Sequence, residues 1–185
     1  MLAEAPAADR WVPAFAGNPA VQRVPVSGVY GEAAVISAAI AGMTHSMKLR
    51  VYYEDTDAAG IVYYANYLKF AERGRTEMMR GLGFAHSRIA EETGILFTVR
   101  RCSADYRAAA RLDDALSVDT RIAEIGAATL SLDQQIRRNG QTIVALDVLV
   151  ACVGRDGRPR RVPPGLRTAL MQAALIKPPI VQKTP

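Results

Sequence analysis

The sequence has only two cysteines, Cys102 and Cys152, and they are fifty positions apart. They make no Cys-x-x-Cys pair and no disulfide framework, which points to a reducing, cytoplasmic compartment. Two histidines, His45 and His86, are too few for a His-rich metal site, so no metal is expected. Aromatic residues make up 6% of the chain, and no RNP-like or helix-turn-helix pattern is present. That argues against nucleic acid as a partner in spite of a net charge of +5. No apolar run nears the ~20 residues that cross a bilayer. The longest candidate, residues 33–43, starts too late for a signal peptide and follows no basic segment. Proline is missing from the middle of the chain: all ten lie before Val26 or after Arg158. Because proline is excluded from central strands and helix interiors, the proline-free stretch is where regular structure belongs.

What remains is a 185-residue chain, 50% hydrophobic and 22% charged. That is enough for one domain of about 140 residues that needs no metal or disulfide staple. Residues 1–46 are rich in Ala, Pro and Gly with weak periodicity. They read as a disordered extension or the product of an upstream start, and the domain is expected over residues 47–175, followed by a flexible tail at 176–185. Within the domain the pattern predicts a strand over residues 47–53, a loop over 54–62 and a long helix over 64–80. A short helix over 86–92 follows. Four strands are predicted over 95–106, 116–125, 130–137 and 142–153, and a last helix over 163–175. Asn139-Gly140 is a strong hairpin signal between the last two strands. The class is α+β: about five antiparallel strands wrapped on one long helix. Tyr67, Leu68, Ala71, Gly74, Met78 and Met79 form the apolar arc of that helix. Glu72 and Arg75 sit within the arc, three apart, and are expected to pair.

Residues 53–67 are the informative stretch. Asp55, Asp57 and Gly60 precede a helix that begins without an acidic cap. Free N–H groups at a helix start can polarise a carbonyl, and a carboxylate beside them can act as base or nucleophile. Asp plus a helix N-terminus is thus a minimal acyl-transfer site. The competing reading is an Asx turn, in which both aspartates only satisfy loop amides. The net positive charge suits an anionic metabolite. Arg155, Arg158, Arg160 and Arg161 form a cluster that suits phosphate oxygens.

The pattern Tyr-x-x-Asp-Thr-Asp-x-x-Gly-x-Val-Tyr-x-x-x-Tyr, followed by Glu-Arg-x-Arg-Thr-Glu-Met, spans much of residues 51–82. It resembles the signature of the 4-hydroxybenzoyl-CoA thioesterase family of hotdog-fold proteins, and within it the YbgC-type acyl-CoA thioesterases linked to the Tol-Pal system. A weaker match continues through Tyr106–Asp114 to about Val153. The resemblance implies a hotdog fold, hydrolysis of an acyl-CoA thioester to free acid and CoA, and no cofactor. Asp57 corresponds to the catalytic carboxylate and the amide of Tyr64 to the carbonyl-polarising group. Glu72 stands where a sister group keeps its catalytic carboxylate. Gly60, Val62, Arg158, Arg160 and Arg161 are expected to meet the substrate. Acyl carrier protein is a further partner, and a homodimer or homotetramer is implied, with active sites at subunit interfaces. The chain departs from the pattern in having Tyr64 in place of a common His, Gly74 in place of Ala, and no cation in the turn over residues 126–129. The alternative is a non-catalytic hotdog protein that binds acyl groups or acyl carrier protein as a scaffold; the presence of Asp57 favours the enzyme.

Overall fold

The computed structural model describes residues 44–175. Most of the expected extension and all of the expected tail lie outside the described residues. The elements are β1 (His45–Arg50), a single 3-10 turn (Tyr53–Asp55), α1 (Asn66–Gly81), α2 (His86–Thr93), β2 (Ile95–Tyr106), β3 (Ala115–Ile125), β4 (Thr129–Arg138), β5 (Gln141–Gly154) and α3 (Pro164–Leu175). All pairings are antiparallel and the five strands stand in the order β1-β3-β4-β5-β2. This is the expected α+β class.

The boundaries depart from expectation in a few places, each for a local reason. β1 starts two residues early because His45 and Ser46 pair with Thr120 and Asp119. It ends before Val51, whose amide leaves the ladder to bond Asp114 O at 3.0 Å. α1 starts at Asn66 because a turn intervenes, closed by Asn66 N–H on Tyr63 O at 2.8 Å. The β4–β5 hairpin turns at Asn139 and Gly140, whose φ values of 51° and 79° fit the twist of the flanking strands.

α1 buries Tyr67, Phe70, Ala71, Gly74, Met78 and Met79. Leu68, placed in the arc by spacing, is 39% exposed, and fully buried Phe70 takes its place. The helix meets β3 at Gly74, where a Cβ would come within 2.6 Å of Val118 Cγ1 and 3.2 Å of Thr120 Oγ1. One buried side chain bridges helix and sheet there. Gln134 Nε2 donates to Ala71 O (2.9 Å) and Thr120 Oγ1 (2.8 Å), while its Oε1 accepts from Arg75 Nη1 (2.8 Å). Arg75 is therefore held by Gln134 and makes no ion pair with Glu72. Sequence separation explains the miss: the acceptor lies 59 residues away on another element.

Residues 142–153 are apolar on both faces apart from Asp147, the pattern of a strand covered on both sides. Within the described residues Val144, Leu146, Val148, Val150 and Cys152 on one face are buried, as is Ile143 near the start of the strand, whereas Leu149, Ala151 and Val153 are half-buried. β2 forms one edge of the sheet and leaves Leu96 and Val99 exposed.

Gly74→Ala should destabilise the protein. The extra methyl gains up to about 1 kcal/mol of helix propensity, but overpacking against a β-branched neighbour costs about 1–3 kcal/mol. Urea denaturation should give a lower midpoint at unchanged slope.

Candidate active site

The loop before α1 is fastened from several sides. Thr56 and Val62 form an isolated bridge. Asp57 N–H donates to Ile61 O (2.9 Å), Val62 N–H to Ala110 O (2.8 Å) and Tyr63 N–H to Asp55 O (2.9 Å). Gly60 sits at the tip with φ +70°, a conformation that side chains rarely take, and its N–H closes on Asp57 O at 2.9 Å. The two aspartates divide. Asp55 is 5% exposed, and its Oδ2 accepts from Tyr52 N–H at 2.9 Å. The Asx-turn reading thus describes Asp55 well. Asp57 is exposed; its Oδ1 accepts from Ala59 N–H at 2.8 Å, and its Oδ2 has no partner among the described residues.

Beyond the loop, the chain turns into α1 with Ala65 as N-cap, no side-chain cap bond and no acid in the first turn. Tyr64 N–H finds no acceptor among the described residues, so it is available to a ligand oxygen. The Tyr64 carbonyl accepts from the Tyr106 hydroxyl at 3.3 Å, which ties the turn to the last residue of β2. The rings of Tyr63 and Tyr64 lie 4.6 Å apart, and Tyr106 stands edge-on to Tyr64 at 6.4 Å and to Tyr67 at 5.9 Å. Tyr67 O–H accepts from Ala110 N–H at 2.8 Å. The Tyr63 phenol is held above its ordinary pKa, first by its side-chain hydrogen bond with Tyr64, then by the charge of Tyr64, by burial and by the charge of Asp57. Burial raises the pKa of the Tyr106 phenol too. A carboxylate and an unclaimed amide on one fastened loop can activate water or attack an ester carbon while the amide takes up developing oxyanion charge.

The other expected site residues lie elsewhere. Val62 is 2% exposed and belongs to the core. Glu72 is exposed on α1, with Oε1 accepting from Thr76 Oγ1 at 2.7 Å. It lines a groove of about 530 Å³ with Leu68, Lys69, Arg75, Val99 and Cys102, and no residue of the loop over 51–65 takes part. Burial depresses the pKa of Arg75 there, with the Glu72 charge opposing it. Arg158, Arg160 and Arg161 lie on the loop after β5, where Val153 bridges Pro159. Arg160 pairs with Asp156 at 3.0 Å. Val162 N–H bonds Ala127 O and Cys152 N–H bonds Ala128 O, both at 2.9 Å. The arginine loop therefore runs beside the neutral 126–129 turn rather than apart from it, and can supply the cations that the turn lacks. Sequence reasoning missed Asn66, 6% exposed, whose Nδ2 donates to Asp55 O at 2.9 Å, and Tyr106. The only sequence signal for Asn66 was its place inside the motif. Among the described residues no group of His, Cys, Asp and Glu is arranged to hold a metal.

A sheet of five antiparallel strands with a long helix laid on it is the arrangement of an α+β hotdog protein. Residues 51–174 match the thioesterase-like superfamily. That is well over half of the chain, and the chain belongs to this family. It is 46% identical over 108 residues to acyl-CoA thioesterase YbgC of Haemophilus influenzae, covering 58% of this chain and 79% of that protein. It is 42% identical over 117 residues to acyl-CoA thioester hydrolase YbgC of Escherichia coli O6:H1, covering 62% and 87%. Among solved structures, a probable thioesterase from Bartonella henselae superposes with a TM-score of 0.62 at 35% identity, covering 65% of this chain and 99% of that one. A 4-hydroxybenzoyl-CoA thioesterase variant bound to 4-hydroxybenzoyl-CoA shares the fold, with a TM-score of 0.65 at 23% identity, covering 69% and 98%.

Asn66→Ala should loosen the loop without unfolding the protein. Loss of one buried hydrogen bond costs about 1–2 kcal/mol. The melting temperature should fall by a few degrees, and a thiol-release assay should show turnover reduced about tenfold, the kinetic equivalent of 1.4 kcal/mol.

Proposed function

We infer that this chain is an acyl-CoA thioesterase, which hydrolyses the thioester of an acyl-CoA to a free carboxylic acid and CoA. The observation that carries the reading is the pairing of an exposed carboxylate, Asp57, with the unclaimed Tyr64 N–H on one fastened loop. The names of the relatives in the same family support it.

In the proposed reaction the thioester oxygen accepts from Tyr64 N–H. Asp57 either takes a proton from water, whose oxygen then attacks the carbonyl carbon, or attacks that carbon itself. The tetrahedral oxyanion collapses and the C–S bond breaks. The electron pair leaves on sulfur, which takes a proton as CoA-SH. In the nucleophilic route water then opens the Asp57 anhydride. No metal or redox group takes part in either route. Gly60 shapes the loop tip, and Val62 serves through its backbone. Glu72 lines the neighbouring groove and remains the secondary candidate.

A homodimer or homotetramer is supported by the open edge of β2 and the half-buried outer face of β5. Among the described residues no helix is long and apolar enough to cross a membrane. The two free cysteines, Cys102 exposed and Cys152 buried with its thiol pushed up to about 11, support a cytoplasmic location. Acyl carrier protein thioesters as substrates and a setting near the Tol-Pal system come from the resemblance alone.

Thiol release from a panel of acyl-CoAs tests the reading. Asp57→Asn keeps the shape and removes the basic oxygen, so kcat should fall by at least about 10²-fold with the fold intact. Glu72→Gln should lower kcat less. Since Arg75 bonds Gln134, not Glu72, that variant should keep its melting temperature within about 1 °C, equivalent to under 0.5 kcal/mol. A well-folded Glu72→Gln that is inactive beside an active Asp57→Asn moves the chemistry to α1. No turnover on any acyl-CoA leaves the scaffold alternative.

A further inference from the structure

We propose that α2 is a lid over an apolar cavity, latched by the stacking of His86 on Phe97 and released when that imidazole takes up a proton. The latch works in the same way whether or not the chain hydrolyses an acyl-CoA.

α2 is eight residues long, and Ile89 is its one buried residue. Its side-chain hydrogen bonds stay local. Arg88 Nε donates to Glu92 Oε1 at 2.6 Å, Thr93 Oγ1 donates to Ile89 O at 2.7 Å, and Ile95 N–H donates to Thr93 Oγ1 at 3.2 Å. Among the described residues none of these bonds reaches α1 or the body of the sheet. The helix is flanked by two glycines in the left-handed region, Gly83 at φ +86° and Gly94 at φ +68°, and a Cβ at either would meet nothing within 4 Å. Uncrowded glycines on both sides of a short element suit it to swing as a unit. Apart from Ile89, the anchor is aromatic. His86, the first residue of the helix, stacks on Phe97 of β2 with ring centroids 5.4 Å apart and planes 29° apart.

Beside the stack lies a cavity of about 140 Å³ lined by Met79, Phe97, Leu130, Leu132 and Val150, and His86 is what α2 contributes to its wall. The cavity shares Glu72, Arg75 and Val99 with the groove of about 530 Å³ along α1. It is the apolar continuation of that groove, and the position of α2 decides how far the groove extends.

The surroundings of His86 suit a neutral ring and not a charged one. α1 presents Glu72, Arg75 and Arg80 to it, two cations against one anion. The β2 residues that line the cavity, Phe97, Thr98 and Val99, carry no charge. On α2 itself Arg88 pairs with Glu92, and Glu91 is exposed. With no acid in the first turn, His86 also faces the positive end of its own helix dipole uncompensated. Burial holds the imidazole below its ordinary pKa; the Glu72 charge opposes this, and Arg75 and Arg80 add to it. The docked lid therefore prefers the neutral ring. Docking is at full strength above about pH 6.5, the ordinary imidazole value, and weakens as pH falls from there through the lower value of the docked state.

Hydrogen exchange of the full chain tests the latch. Protection factors are read at about pH 8 and about pH 5.5, on either side of the ordinary imidazole value. At the lower pH the amides of α2 should lose protection, by up to about tenfold for each unit by which docking lowers the pKa, while those of α1 and β4 keep theirs. His86→Phe keeps a ring on Phe97 and removes the proton site, so α2 should be equally protected at both pH values. His86→Ala removes the ring, and α2 should lose protection at both. The sequence has two histidines, so in His45→Gln the remaining imidazole proton resonance is that of His86, and it should titrate below the ordinary value. The latch is overturned if wild-type α2 is equally protected at both pH values, if His86→Phe keeps the wild-type pH dependence, or if His86→Ala leaves α2 as protected as in the wild type at the higher pH. It is overturned too if the His86 resonance titrates at or above the ordinary value. Loss of protection in α1 and β4 together with α2 also sinks it, since acid then loosens the whole fold and not a lid.

Discussion

The close approach of α1 to β3 at Gly74 sets the rest of the architecture. With no side chain between helix and sheet, Val118 and Thr120 lie where a Cβ would be, and α1 settles low on the strands. A helix that close brings its own backbone and charged side chains into the interior. Gln134, 1% exposed, resolves this by donating to Ala71 O and Thr120 Oγ1 and accepting from Arg75. A buried polar group left unpaired would cost about 1–3 kcal/mol, so the network fixes helix position and rotation together. The start of α1 inherits that placement. The Tyr67 hydroxyl oxygen accepts from Ala110 N–H, and Asn66 Nδ2 donates to Asp55 O, which closes the loop that carries Asp57.

Much of this was legible in the sequence because it depends on local chemistry. Periodicity located β2 to the residue and the other strands of the hairpin region to within one residue, since alternation of Leu130, Leu132 and Ile136 with polar neighbours needs no tertiary knowledge. Asn139-Gly140 named its own turn. The failures share a physical origin. Glu72 and Arg75 are neighbours on a helix surface, and spacing rules pair neighbours, but a rotamer chooses among all acceptors in reach. The winner was an amide on β4. Likewise, Leu68 and Phe70 both fit an apolar arc, and only the direction in which the sheet curves decides that Phe70 goes inside. Asp57 as a candidate was legible because motif and chemistry coincided. The role of Asn66 was not, because its value lies in a carbonyl eleven residues upstream.

In sequence the arginines of residues 155–161 lie well away from the 126–129 turn, which has no cation of its own. The backbone bond from Val162 N–H to Ala127 O, just past the arginine loop, brings it alongside that turn. A strand that returns beside a hairpin turn can replace its charge without replacing its shape, and nothing in either segment alone reveals this.

The uncapped start of α1 is where stability and chemistry oppose each other. A Ser, Thr, Asp or Asn at the N-cap is worth about 1 kcal/mol to a helix because it bonds the first free amides. Ala65 holds that position here and bonds none of them with its side chain. The loop recovers stability elsewhere, through Asp55. Buried two residues before Asp57, Asp55 accepts Tyr52 N–H with its carboxylate, and both Tyr63 N–H and the Asn66 amide with its backbone oxygen. One aspartate thus holds the loop so that the other does not have to. Asp57 keeps one oxygen on Ala59 N–H, which fixes its direction, and leaves the second oxygen on the solvent side.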